Sequence, residues 1–316
     1  MRKIFVVFLL AVAAAAAGAQ GYPNRPIRLV VPFPPGGSSD LVARTFAPAL
    51  GSVLGQQVVI DYRGGAGGSI GAAEVAKAAP DGYTLLQVWD THAANHHLYK
   101  VPYDYARSFT PITELVEGVG VIVANPAFPA SNTKELIEYA RASPGAVMYG
   151  SAGAGSSNHL LGARFEQLTG VQMTHVPYKG GGPLITDLLG GHVQICFGSL
   201  PLFEPYIRSG KLKALAVLSP ARTPQLPDVP AAAEALPGFE GSTWFGLLAP
   251  AGLPAAIQSR VHDAVAQVLR DPQVKEAFAT RGFDVVASSP EAFSEFLLKQ
   301  SAAAGALIDS LHIKAD

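Results

Sequence analysis

The sequence predicts an α/β fold with a mainly parallel sheet, divided into two lobes. Three observations predict it. Short β-branched strands alternate with helical patterns along most of the chain. Two Gly/Ser-rich turns, at 32–40 and 151–159, each follow a strand and open a helix. The 316 residues, 49% of them hydrophobic, suffice for about two cores.

The first turn reads Val30-Val31-Pro32-Phe33-Pro34-Pro35-Gly36-Gly37-Ser38-Ser39-Asp40. Its prolines stiffen the approach, and its glycines permit close contacts that a Cβ would block. Ser39 or Asp40 can cap the helix that follows. Backbone N–H groups then point out of a strand-to-helix turn, an anion seat that the helix dipole strengthens. Ser151 to His159 repeats the arrangement, and the two turns are expected to face each other across a cleft.

The N-terminus has the pattern of a secretory signal peptide. Arg2-Lys3 is followed by an apolar run from Ile4 to Ala17, and Ala17-Gly18-Ala19 fits the cleavage site, giving a mature start near Gln20. A membrane anchor is the competing reading, but the run falls short of the ~20 residues a span needs. The formal net charge of −1 argues against a nucleic-acid partner. Cys196 is the only cysteine, so no internal disulfide forms, and its apolar neighbours mark it as a small buried hydrophobe.

In order, Ile27 to Phe33 reads as a strand and Leu41 to Leu54 as a helix interrupted at Pro48 and Gly51. Val58 to Ile60 is a short strand, and a Gly-rich loop leads into an Ala-rich helix from Ile70 to Ala79. Tyr83 to Val88 is the third strand; Trp89 to Lys100 and Arg107 to Pro111 read as irregular. Val119 to Val123 is taken as the first crossing into a second lobe.

There, Asn132-Thr133-Lys134-Glu135 has capping-box spacing, and Pro144-Gly145 stops the helix. Strands at Val147 to Tyr149, Met173 to Val176, Val193 to Phe197 and Leu212 to Leu218 flank helices at Leu160 to Leu168 and Pro183 to Leu189. Pro220 to Pro237 is a Pro-rich connector, and Thr243 to Leu248 is a strand crossing back. Ile257, Val261, Val265, Val268 and Leu269 mark one helix face. Phe283 to Val286 is a short strand. Ser289-Pro290 opens the last helix, with Phe293, Phe296 and Leu297 as its buried stripe.

Seven motifs in order carry a resemblance. They are Pro32-Phe33-Pro34-Pro35-Gly36-Gly37-x-x-Asp40 with Arg44, Gly65-Ala66-Gly67-Gly68, Pro80-Asp81-Gly82-Tyr83-Thr84-Leu85-Leu86, Ser151-x-Gly153-x-Gly155-Ser156-x-x-His159, Val176-Pro177-Tyr178-Lys179-Gly180, Lys211-Leu212-x-Ala214 and Leu226-Pro227-Asp228-Val229-Pro230. Together they resemble the Bug family, periplasmic solute receptors of tripartite tricarboxylate transporters. The resemblance implies a two-lobed periplasmic binding protein of the Venus-flytrap type (type II), hinged on two crossing strands. With crossings at Val119 to Val123 and Thr243 to Leu248, lobe 1 is expected at 20–122 plus 243–316 and lobe 2 at 123–242, after the signal peptide at 1–19. The resemblance further implies a periplasmic monomer that holds a di-, tri- or aromatic carboxylate through backbone N–H groups and water, and passes it to a membrane permease. No cofactor, metal or enzymatic role is expected.

The candidate ligand-binding residues are Phe33, Gly36, Gly37, Ser38 and Asp40 in the first turn, and Ser151, Gly153, Ala154, Gly155, Ser156 and His159 in the second. Asp40 is read as both cap and ligand acceptor. Tyr178 offers a hydroxyl and an aromatic wall, and Ser199 ends a strand on the cleft side. Trp89, Asp90 and His92 lie in a segment that, in the family, borders the cleft. Trp89 can stack on an aromatic ligand, and Asp90 can repel a second carboxylate or accept from a ligand donor. His92 and His96 have i,i+4 spacing, yet nothing joins them as metal ligands. Gly153-x-Gly155-x-x-Asn158 breaks the dinucleotide fingerprint, and no nucleophile elbow is present. A secreted hydrolase using Ser156 or Cys196, and a sensor subunit for a membrane kinase, are the alternatives to a transport receptor.

Overall fold

A computed structural model describes residues 21–311 and 313, so the signal-peptide assignment at 1–19 lies outside the described residues. The strands are β1 (Ile27–Val31), β2 (Val58–Tyr62), β3 (Thr84–Trp89), β4 (Phe109–Ala124), β5 (Met148–Ser151), β6 (Thr174–Pro177), β7 (Ile195–Ser199), β8 (Lys213–Val217), β9 (Ser242–Pro250) and β10 (Phe283–Val285). The helices are α1 (Ser38–Leu54), α2 (Ser69–Ala76), α3 (Thr91–Leu98), α4 (Thr133–Ala142), α5 (Ser157–Thr169), α6 (Gly181–Gly190), α7 (Leu200–Arg208), α8 (Ala255–Arg270), α9 (Pro272–Ala279) and α10 (Pro290–Leu311).

The strands join in the order β2-β1-β3-β9-β4-β7-β5-β6, with β8 and β10 also on β4. β2, β1 and β3 are parallel, as are β6, β5 and β7. The long strand β4 connects these groups. From Phe109 to Val119 it runs antiparallel to β9. From Gly120 to Ala124 it pairs with β7 instead. Where it changes partner, Gly120 N–H donates to Gly241 O (3.0 Å) and Gly120 O accepts from Leu218 N–H (2.7 Å). A Cβ on Gly120 would lie 2.6 Å from Gly241 O, so the crossing requires glycine there.

Alternation along the strands fills a core on each side of each lobe. Ile27, Leu29 and Val31 pack with Phe46 and Leu50 of α1 and Val265 of α8. Val30, Leu86 and Val88 pack with Phe293 and Leu297 of α10. In the other lobe Ile122 and Phe197 meet Leu136, Tyr149 and Phe165, while Val121, Val123 and Cys196 meet Leu184, Leu188 and Phe203.

Several elements depart from the sequence reading. Trp89 to Lys100 is not irregular: Thr91–Leu98 is helical, with Thr91, His92, Ala93 and Asn95 buried. Arg107 to Pro111 is not all loop, because β4 starts at Phe109, whose ring is buried. α1 continues through Pro48 and Gly51, since Pro48 is on the exposed face and Gly51 sits against Gln56 O and Val58 N. α7 and α9 were not anticipated; α9 carries a local start signal, with Asp271 accepting from Gln273 and Val274 N–H and Pro272 in the first turn. At α4, Asn132 caps Glu135 N–H as expected, but the Glu135 carboxylate reaches back to Ser131 N–H rather than to Asn132 N–H. Phe296 is only partly buried beside Phe293 and Leu297.

Candidate functional site

Strand ends and helix starts meet where the lobes touch. β1 leaves through Pro32 to Pro35 and enters α1 at Gly37, which caps without a side chain. Gly36 has φ 92°, a left-handed conformation that favours glycine. The first N–H groups of α1 have no intrahelical acceptor. The Asp40 carboxylate turns back into the turn, accepting from Gly36 N–H (2.9 Å), Arg44 Nε (2.6 Å) and the Tyr62 hydroxyl. Burial acts to raise its pKa, but the bonds from Tyr62, Gly36 and Arg44 outweigh it and hold the pKa below the usual carboxylate value.

The second turn is braced by its own side chains. Ser151, wholly buried, places Oγ 3.0 Å from Gly153 O and 2.6 Å from His175 Nε2. Ser156 Oγ donates to Gly153 O (2.7 Å) and caps α5 by accepting from His159 N–H. His159 Nδ1 accepts from Gly155 N–H (3.0 Å), and its ring stacks on His175 at 3.7 Å. Burial, then the neighbouring His159, push the His175 pKa down to about 3. Ser156 and His159 thus hold the turn rather than form a nucleophile–base pair. The Cys196 thiol is buried, and burial pushes its pKa up.

Two further helices start at the same place. α6 is capped by Gly180 and α7 by Ser199, neither through a side-chain bond. Residues at the starts of α1, α5, α6 and α7 therefore surround one chamber: Gly37 to Ser39, Ser157 and Asn158, Gly181, and Ser199. Its volume is about 30 Å³, room for one water. Phe33, Trp89, Leu184 and Phe203 supply apolar walls, and among the described residues no charged side chain lines it. Phe33 and Trp89 meet edge to face at 5.2 Å. Ser199 is buried, and its Oγ has no partner among the described residues. Four positive helix ends around an uncharged, enclosed space make a seat for an anion.

The lobes close on glycine. A Cβ on Gly181 would lie 3.1 Å from Gly37 Cα, and one on Gly180 would lie 3.0 Å from the Pro34 ring. Elsewhere Leu98 fills the place of a Gly155 side chain, 1.9 Å from its ideal Cβ, and the Tyr99 hydroxyl donates to Ala154 O (3.2 Å).

The Trp89 indole N–H donates to Thr243 Oγ1 (2.6 Å), and Thr243 donates to Asp90 Oδ2 (3.2 Å). Asp90 Oδ1 is shielded and has no partner among the described residues. Burial pushes the Asp90 pKa up to about 7, against the lowering effect of the Ser157 and Thr243 hydroxyls. Asp90 faces a second cavity, of about 670 Å³, between α5 and α10.

The structure brings Phe33, Gly37, Ser38, Trp89 and Ser199 to the chamber wall. The other expected residues stand outside the chamber lining. Asp40 spends its carboxylate inside the first turn, as does the Gly36 N–H that binds it. His92 is buried against Tyr103, Tyr105 and Phe109, because α3 turns it into the lobe core. His96, one helical turn on, bonds Ser301. The Tyr178 hydroxyl donates to Asp187 (2.7 Å) rather than facing the chamber. Ser151, Gly153, Ser156 and His159 shape the second turn from behind, and Ala154 and Gly155 contact Tyr99 and Leu98. Asp90 stands behind Thr243. Sequence reasoning missed Ser39, Ala152, Ser157, Asn158, Gly181 and Thr243. The run Gly180-Gly181-Gly182 was the available signal for Gly181; Thr243 carried none.

Residues 42–313 match the family described as the tripartite tricarboxylate transporter family receptor. Protein BugT of Bordetella pertussis (strain Tohama I) is 39% identical over 288 residues, 90% of this chain and 88% of that protein. The solved structure of the periplasmic binding protein BugD is 36% identical with a TM-score of 0.89, covering 93% of this chain and 100% of that one. Rpa4515 of R. palustris, solved with adipate, is 34% identical with a TM-score of 0.89, covering 93% of this chain and 99% of that one.

Proposed function

The chain belongs to the tripartite tricarboxylate transporter receptor family, and from that premise we propose that it captures a small organic acid in the periplasm and delivers it to a tripartite tricarboxylate-type permease. Lobe 1 is residues 20–122 with 243–316, and lobe 2 is residues 123–242; the mature monomer starts near Gln20. The ligand's carboxylate is held by backbone N–H groups, directly and through water, without chemical turnover.

The observation that carries this reading is the convergence of four helix N-termini on an uncharged chamber. Dipoles and free N–H groups supply the positive potential that Lys or Arg would otherwise provide. A relative solved with adipate supports a carboxylate as the ligand class. At about 30 Å³ the closed chamber is too small for an organic acid. The lobes must therefore part, bending where β4 and β9 cross, and contacts with the ligand then favour closure.

A thermal-shift screen of the mature protein tests this. Di- and tricarboxylates, aromatic acids and amino acids are compared with neutral sugars and polyols. At least one carboxylate is expected to raise the melting temperature. A shift from neutral solutes alone would refute the anion seat.

A further inference from the structure

Asp90 does not line the chamber, yet it borders the larger cavity beside it. Its Oδ2 accepts from Thr243, which lines the chamber. The Ser157 hydroxyl lies beside it and lines the chamber too. Ser157, Leu161 and Ser242 border both the chamber and the larger cavity, so the two spaces adjoin next to Asp90. A ligand seated by its carboxylate, and longer than the chamber, extends toward this junction.

What it meets there is acidic. Asp90 Oδ1 has no hydrogen-bond partner among the described residues. A shielded carboxylate oxygen left unpaired is costly, and an added donor relieves that cost. Beyond it the larger cavity carries Glu117, Glu240 and Asp284. Its cation, Arg164, is bound to the carbonyls of Gly238 (2.7 Å) and Glu240 (3.3 Å).

We propose that Asp90 is a specificity-determining residue: it admits carboxylic acids whose remote end is an ammonium or another hydrogen-bond donor, and it rejects those with a second carboxylate. Resting on the receptor reading, this names the ligand class: an amino acid with its amine remote from the carboxylate, rather than a dicarboxylate.

The test uses matched pairs in which an ammonium takes the place of one carboxylate: 3-aminopropanoate with succinate, 5-aminopentanoate with adipate, and 4-(aminomethyl)benzoate with terephthalate. Affinities for the wild type, Asp90→Asn and Asp90→Ser are measured by calorimetry, with circular dichroism as a control for folding. At pH 8.5, above the value of about 7 to which burial pushes Asp90, the wild type is expected to prefer the aminated member of at least one pair by roughly tenfold or more, as opposite rather than like charge near an ionised Asp90 requires. Asp90→Asn and Asp90→Ser should each erase most of that preference. If both variants weaken every ligand equally, Asp90 only braces the closed lobes and the proposal falls. A wild-type preference for the dicarboxylates also overturns it. If no pair member binds any of the proteins, the proposal falls, while the receptor reading is judged separately by the wider carboxylate screen.

Discussion

The two turns at the lobe contact serve one purpose by different means. The first is stiffened by its backbone: three prolines precede Gly36 and Gly37, and the Asp40 carboxylate ties Gly36, Arg44 and Tyr62 together. The second has no proline and is held by side chains bonded within and beside the turn, Ser151 to His175 and Ser156 and His159 to its own backbone. Each meets the opposite lobe through glycine, but the first is matched by glycine backbone at Gly181 and the second by the Leu98 side chain. In both, polar side chains hold the turn; Ser156 takes the His159 N–H at the start of α5, whereas no side chain caps α1. The difference lies in tolerance: a flexible Leu can yield where a backbone cannot.

The largest expected effect breaks the first contact. An ideal Cβ on Gly37 already lies 3.6 Å from Gly181 Cα and N, so the branches of valine have no room in the closed state. Gly37→Val should weaken ligand binding roughly a hundredfold or more, about 2.7 kcal/mol. The unliganded melting temperature should change little, as calorimetry and thermal unfolding would reveal. Wild-type affinity in a folded Gly37→Val protein would remove this contact from closure.

Gly155→Ala breaks the second contact and should act less strongly. Its Cβ clashes with Leu98, and its φ of 73° disfavours any side chain. Adding Leu98→Ala should restore part of the lost affinity by relieving the steric share. No rescue would mean that backbone strain alone accounts for the loss.

The turns should also part in their pH response. His175 has a pKa depressed to about 3. Its contribution is fully present above the unfolded value of about 6.5 and is lost as pH falls from there toward the folded value. Asp40 is depressed too, so its contribution persists above the unfolded carboxylate value of about 3.9 and is lost only at lower pH. His175→Gln should therefore flatten the stability profile between about pH 6.5 and 4, and Asp40→Asn should alter it only below that. Denaturant melts across pH would separate them. Asp40→Ala should cost about 2 kcal/mol at neutral pH through its unpaired donors.

The smallest effect concerns Ser199. Ser199→Ala removes an unpartnered hydroxyl and should leave the unliganded protein as stable or slightly more so. If Ser199 meets the ligand, affinity falls several-fold, about 1 kcal/mol. An unchanged affinity would confine recognition to the backbone.

Much of the fold was legible because its signals are local. Proline and glycine dictate turn geometry within a few residues, and this marked both turns and the helices they open. Trp89 to Lys100 misled because its polarity resembles a loop, whereas α3 buries Thr91, His92 and Asn95 under distant parts of the chain. The start of β4 was hidden by Pro111, which the strand accommodates at an irregularity in its pairing with β9.

By itself the sequence determined the alternating α/β architecture and two glycine-rich strand-to-helix turns without Lys or Arg. These follow from steric limits on each residue's own backbone. Only the tertiary structure decided what each polar side chain does. Asp40, Tyr178 and His92 looked available for a ligand, but Tyr62, Asp187 and a ring of aromatic residues engage or enclose them. Ser157, Gly181 and Thr243 looked unremarkable until the closed lobes brought them to the chamber. A side chain's partners depend on which distant strands and helices the fold sets beside it, and residue order does not specify that locally.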